Sequence, residues 1–403
     1  MKITYHNLDF QNEINLPKNI NELNENISLV CSNLPALNVA KNSKLLDETI
    51  KIVENFMINK KTFIVFGTGG SSLGARALLN ISNSTNDNIL FYDNIDPIYF
   101  QQSFSNIDYK TTGFIIISKS GSTPETLSQF GAIIELASQS NELECFLNNT
   151  LIITQLNDSP LFNIAKRYKC LLLEHNVDIG GRFSVFSNVG MVPAIIAGLN
   201  VKDIHIGANI VKKELENGQF FKVGQLFKFQ QNLNLFSSIV MTYADSLYYF
   251  GKWYLQLWAE SIGKSNRGIT AIHSIGTIDQ HSQLQLYLDG PKDKFFTFIT
   301  TNHSNKGLTI NKNIFETENL NYLINKKMGD LMQAEQQSTM DVFSSKKIKF
   351  REIFLQNIDE KNIGSLMAAS IIETIASCYY FDVDPFNQPA VESGKILTKK
   401  YLS

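Results

Sequence analysis

Short, wholly apolar runs rich in β-branched and aromatic residues recur at Thr62–Phe66, Ile89–Tyr92, Gly113–Ile117, Leu151–Thr154 and Cys170–Leu173, each followed by turn residues and a helical pattern. A strand with no polar alternation must be covered on both faces, which is the condition of a parallel sheet, and parallel strands need crossover helices between them. A second block of the same rhythm follows residues 201–224, with strands expected at Gly268–Ile272, Phe295–Ile299 and Ile348–Leu355. The expected class is α/β, with two doubly wound parallel-sheet units and helical N-terminal and C-terminal segments. The expected divisions are an arm over 1–45, domains over 46–200 and 201–385, and a C-terminal segment over 386–403. Asn-rich stretches at 80–88 and 301–313 read as surface loops.

Charge narrows the function. With 36 basic and 38 acidic residues the net charge is −2, which gives no broad footprint for nucleic acid or an anionic membrane surface. An anionic ligand must therefore be held locally, by backbone N–H groups and a few cations. Cys31, Cys145, Cys170 and Cys378 are scattered, and His6, His175, His205, His273 and His303 lack metal-ligand spacing, so no metal or cofactor is expected. The opening MKITYHNLDFQNE has no apolar leader, and the longest apolar stretch, Leu366 to Phe381, is interrupted by Glu373. A soluble cytoplasmic protein is the expectation.

Two loops stand at the ends of strands in the first block. Gly67-Thr68-Gly69-Gly70-Ser71-Ser72-Leu73-Gly74 precedes a helical run, and its glycines allow a backbone to approach an anion closely at a helix N-terminus. It misses a Walker A loop for want of Lys then Ser or Thr after Gly74. It misses a dinucleotide fingerprint because Ser72 stands where glycine is needed, although Asp93 sits where a ribose-binding acid would. Ser118-Lys119-Ser120-Gly121-Ser122-Thr123-Pro124-Glu125 follows the third strand. Pro124 suits a first helical position, Thr123 an N-cap, and Ser122 with Glu125 has capping-box spacing. Capping explains two of the hydroxyls but not a run of four with a lysine, which suits a phosphate dianion.

Four further segments carry candidate chemistry. Gly180-Gly181-Arg182-Phe183-Ser184 places a guanidinium after two glycines, where its fork of donors can hold developing negative charge. In Trp253–Lys264, a helix expected to stop at Gly263, Gln256 and Glu260 are spaced i, i+4 on one face among aromatic residues, so Glu260 is a candidate general base. Asp279-Gln280-His281-Ser282 offers an imidazole, whose ordinary titration lies near neutral pH. Gln388-Pro389-Ala390-Val391-Glu392-Ser393-Gly394-Lys395 offers a terminal lysine. Each of these has an ordinary structural explanation when taken alone.

Taken in order from Gly67 to Lys395, the segments resemble the phosphoglucose isomerase family in its shorter bacterial form, most specifically in GGRFS, QLWAES and DQHSQLQLYLDGP. The resemblance implies two sugar-isomerase (SIS) domains and the reversible isomerisation of glucose 6-phosphate and fructose 6-phosphate through a cis-enediol(ate), without cofactor. It implies a phosphate cradle of Ser71, Ser118, Lys119, Ser120 and Thr123, and backbone contacts to sugar at Gly70 and Gly181. Gln256 and Gln388 would meet sugar hydroxyls, with Glu260 as the base between C1 and C2 and Arg182 beside the enediolate. His281 and Lys395 would assist ring opening. It also implies a homodimer, with His281 lent by the partner subunit. The alternatives are an isomerase of another sugar phosphate, a non-catalytic sugar-phosphate-binding module and, disfavoured by Ser72, a dinucleotide-dependent dehydrogenase.

Overall fold

A computed structural model describes residues 1–81, 88–215, 218–312 and 320–403. The surface-loop expectations fall partly outside these residues, at 82–87 and 313; residues 302–312 form a largely exposed irregular segment.

The first sheet contains β2 (Thr62–Phe66), β3 (Ile89–Tyr92), β4 (Thr112–Ile117), β5 (Thr150–Thr154) and β6 (Leu171–Glu174), ordered β3-β2-β4-β5-β6 and parallel throughout. Burial follows position. Every residue of the interior strands β4 and β5 is buried, whereas the edge strands β3 and β6 are partly exposed. The apolar runs thus include the interior strands and the two edge strands.

The second sheet contains β7 (Ser237–Thr242), β8 (Thr270–Ile275), β9 (Lys294–Thr301) and β10 (Phe350–Leu355), with β1 (Lys2–His6) antiparallel on β10, in the order β1-β10-β9-β7-β8. Neither β1 nor β7 is among the strands expected from sequence. Traced from β8, this sheet repeats the winding of the first: in each unit the first strand lies between the second and third. The fifth place, taken by β6 in one sheet, is taken in the other by β1. The N-terminal segment is therefore helical only after an opening strand.

Helix Glu360–Tyr380 is the buried spine of the second unit. It is long and apolar enough to cross a membrane, yet 94% of its apolar window is buried inside the protein. Two glycines let it meet helix Val201–Lys213 backbone to backbone. A Cβ on Gly207 would lie 2.0 Å from Lys361 O, and one on Gly364 would lie 2.2 Å from Ile204 O. Glu373, the break in the apolar run, forms a bidentate pair with Arg351 of β10 at 2.5 and 2.9 Å; Thr297 Oγ1 accepts from Arg351 Nε, and Tyr254 donates to Glu373. Arg351 is thereby held ionised: burial alone would lower its pKa, but Glu373, with Tyr5 and Tyr254, raises it. All four cysteines are free thiols.

Candidate active site

In a sheet with this winding, the strand order reverses between β2 and β4, and the crevice beyond their C-terminal ends is open to a ligand. The two loops singled out in the sequence leave those strands there. They lie side by side: a Cβ on Gly67 would stand 3.3 Å from Ile117 O. Gly69 has φ +58°, a conformation that favours glycine, and turns the chain so that Ser71 closes a short 3₁₀ turn. In the second loop the Ser118 and Thr123 hydroxyls are 2.8 Å apart, and Ser120 Oγ accepts from the Ser122 N–H at 3.3 Å and from its hydroxyl at 3.1 Å.

Thr123 occupies the N-cap position of helix Pro124–Gln139, but its side chain does not cap, and the Ser122–Glu125 capping box does not form. The hydroxyls bond to one another within the loop instead. No side chain caps the N-terminus of this 16-residue helix, so its partial positive charge remains available to an anion. Lys119 beside it is half-buried, and burial lowers its pKa against the opposing pull of Asp178.

Gly181–Phe186 forms a 3₁₀ turn pressed onto the glycine loop. A Cβ on Gly70 would lie 2.3 Å from Gly181 C and 2.7 Å from Arg182 N, so only glycine permits the approach. Ser184 Oγ donates to Gly181 O at 2.7 Å and lies 3.3 Å from Gly70 O, closing the contact. Arg182 is 3% exposed and spends its whole fork. Nε donates to Ser261 Oγ (2.8 Å), Nη1 to Glu260 Oε2 (3.2 Å) and Gln388 Oε1 (2.9 Å), and Nη2 to the carbonyls of Asn387 (3.1 Å) and Pro385. Burial lowers its pKa, and Glu260 opposes the shift.

Glu260 and Gln256 lie on helix Tyr248–Ile262, capped at Gly263 as expected. Phe250, Trp253, Tyr254, Leu257 and Trp258 bury one side of this helix, leaving Gln256 and Glu260 half-buried on the other. Gln256 Nε2 donates to Glu260 Oε1 at 2.9 Å, and a Cβ on Gly69 would meet the same Nε2 at 2.8 Å. The glycine turn, glutamine, glutamate and arginine are thus contiguous. Gln256 Oε1 is buried without a protein partner, an acceptor free for a sugar hydroxyl. Glu260 and Gln388 also border a cavity of about 790 Å³ under the 382–391 segment. The hydroxyl and glycine turns do not line that cavity; the glycine turn reaches Glu260 through Gln256 and Arg182.

His281 and Lys395 are not drawn into this cluster. His281 ends the exposed 3₁₀ turn Ile278–His281 beyond β8. Lys395 lies on helix Glu392–Leu402, which buries none of its residues, and pairs with Glu392 at 2.7 Å. Three residues at the site were not candidates from sequence: Ser184, Ser261 and His175. The first two lie inside the quoted GGRFS and QLWAES stretches, so motif membership was the available signal. His175 follows β6 and is buried. Its Nδ1 is 3.2 Å from the Asn176 carbonyl, which can only accept, so Nδ1 carries the proton and the unpartnered Nε2 is a bare acceptor. Burial, with Lys119 nearby, depresses its pKa to about 4. Nothing in the spacing of a lone histidine marked it.

The family model for phosphoglucose isomerase matches residues 48–403. This chain belongs to the phosphoglucose isomerase family. It is 32% identical over 373 residues to a glucose-6-phosphate isomerase from Campylobacter jejuni, covering 89% of each chain. It is 31% identical over 374 residues to one from Rubrobacter xylanophilus, covering 88% of this chain and 85% of the relative. Among solved structures, a hypothetical protein from Thermus thermophilus superposes with a TM-score of 0.87 at 26% identity, covering 95% of this chain and 94% of that one. A glucose-6-phosphate isomerase from Chlamydia trachomatis has the same fold, with a TM-score of 0.75 at 21% identity over 90% of this chain and 74% of its own. The fold is that of the sugar-phosphate isomerases, and membership of the family makes the chain an aldose–ketose isomerase interconverting glucose 6-phosphate and fructose 6-phosphate.

Proposed function

We propose that Glu260 is the base that carries a proton between C1 and C2 of the open-chain sugar, with the phosphate seated on Ser71, Ser118, Lys119, Ser120 and Thr123. The observation that carries this is the Glu260 carboxylate, held by Arg182 Nη1 at 3.2 Å and Gln256 Nε2 at 2.9 Å beside the Gly69–Gly70 turn. Proton abstraction next to a carbonyl needs a fixed carboxylate and donors for the enediolate oxygen. Arg182, desolvated and anchored by Ser261, answers the second need as a fixed positive charge beside the enediolate, its five N–H groups being already engaged. The Gly70 and Gly181 backbones border the sugar, while Gln256 and Gln388 order its hydroxyls. Glu260→Gln keeps the size of the side chain but removes the base, so kcat should fall by about 10²–10⁴-fold in a coupled fructose 6-phosphate assay. Wild-type turnover in that variant would remove Glu260 from the role.

The same reading makes the enzyme a cytoplasmic homodimer. His281 and Lys395 lie outside the cluster, on surfaces that also expose Ile278 and Leu286 near His281, and Ile396, Tyr401 and Leu402 beside Lys395. A second subunit that covers these residues and brings its own His281 to Glu260 completes the ring-opening machinery with Lys395. Domains over 46–200 and 201–385, flanked by 1–45 and 386–403, are supported by strands β2 to β6 falling within the first and β7 to β10 within the second.

A further inference from the structure

Asp93, which stood in the sequence where a dinucleotide-binding acid would, has a different partner. Its Oδ2 accepts from Arg76 Nη1 at 2.6 Å. Arg76 follows the glycine turn on helix Leu73–Leu79, and its other branch crosses to the Glu260-bearing helix. There Nη2 donates to the Tyr249 hydroxyl, and the guanidinium carbon lies 4.0 Å from the Tyr249 ring centroid. Two more contacts join the same pair of segments. Asn80 Nδ2 donates to Asp245 O at 2.6 Å, and Gly69 packs on Gln256 Nε2. The contacts are in antiparallel register: from Asn80 to Arg76 to Gly69 one segment steps back four residues and then seven, while Asp245, Tyr249 and Gln256 step forward by the same amounts. Glu260 lies one turn beyond the last of them.

We propose that Arg76 is a positioning residue: braced by Asp93, it locks Tyr249 and so fixes how far the helix carrying Gln256 and Glu260 slides along the glycine turn. The role rests on the assignment of Glu260 as the base. Arg76 does not itself touch the sugar; it sets the reach between a phosphate seated on the first sheet and the carboxylate carried beside the second. A guanidinium suits the task because one planar group can bond a carboxylate with one branch while covering an aromatic face with the other.

The test compares kcat and KM for fructose 6-phosphate, together with thermal midpoints, in Arg76→Ala, Arg76→Lys, Tyr249→Phe, Arg76→Ala/Tyr249→Phe and Glu260→Gln. Displacing a reacting group by about 1 Å can cost about 100-fold, so Arg76→Ala is expected to lower kcat by roughly 10- to 100-fold. KM should change by less than about threefold, because substrate binding is not what is lost. Arg76→Lys should restore part of kcat, and the double variant should be no slower than Arg76→Ala, since both changes break one connection. Unchanged kcat in folded Arg76→Ala, or a loss confined to KM, overturns the proposal. Should Arg76→Ala fail to fold, wild-type kcat in both Arg76→Lys and Tyr249→Phe overturns it. An active Glu260→Gln removes the base and this role with it, whereas an inactive Glu260→Gln beside unimpaired Arg76 variants removes the role alone.

Discussion

Replacing Gly70 by alanine tests whether the glycine turn and the arginine turn form one rigid unit. The new Cβ would lie 2.3 Å from Gly181 C and 2.4 Å from Gly181 O, whereas ordinary contact begins at 3.4 Å. Both turns must therefore separate by about 1 Å, the difference between those two distances. The obstruction is backbone and cannot rotate away. The 181–186 turn has little room to yield, because Arg182 to Phe186 are all buried and Arg182 is anchored at Ser261, Asn387 and Pro385. Overpacking of this kind costs about 1–3 kcal/mol of stability. The catalytic cost should be larger: Arg182 and Glu260 form one hydrogen-bonded unit, and a shift of about 1 Å in a reacting geometry is worth about 100-fold. Steady-state kinetics with fructose 6-phosphate, run well below the thermal midpoint of the variant, should show kcat reduced by that order. A folded Gly70→Ala enzyme within about threefold of wild-type kcat would refute the claim that this contact sets the site.

If His281 is lent across a dimer, co-expressing inactive Glu260→Gln and His281→Ala subunits should restore activity, because one site of each mixed dimer receives both native groups; mixtures as inactive as either parent would show that His281 acts within its own chain. Glu373→Gln should destabilise the fold by about 3–5 kcal/mol in denaturant unfolding, because it leaves the Arg351 cation buried without its anion; a loss under about 1 kcal/mol would contradict it. Stability should also fall on acidification from about pH 6.5 toward 4. His175 and His273, both lowered to about 4 chiefly by burial, stay neutral when folded while the unfolded chain takes up protons. The shift corresponds to up to about 3 kcal/mol for each group. His273→Gln should flatten that acid limb, and an unaltered pH profile would exclude His273 as a source.

What the sequence revealed follows from how local the signal is. Interior strands such as β4 and β5 announce themselves because burial on both faces favours continuous apolar runs, broken only by threonine or glycine at their ends. β7 escaped because Ser237 and Ser238 dilute its apolar run, and β1 because KITYH is an edge strand whose partner lies at Phe350–Leu355. At the site, Gly70, Gly181, Arg182, Gln256, Glu260 and Gln388 were recognisable and converge. Thr123 holds the N-cap position expected of it, but its hydroxyl bonds to Ser118 rather than to its own helix. His175 gave no sign, since a lone histidine carries no pattern and only the fold buries it. His281 and Lys395 were recognisable as residues, but a single chain leaves both on its surface.

The unequal closure of the two sheets bears on how the molecule assembles. All five strands of the first come from one continuous stretch between Thr62 and Glu174, so that layer can form as soon as the stretch leaves the ribosome. The second must wait: Lys2 lies opposite Phe354, so β1 has no partner until that much later strand is made. Until then the outer edge of β10's future seat stays unzipped, and the half that carries Glu260 is the last to set.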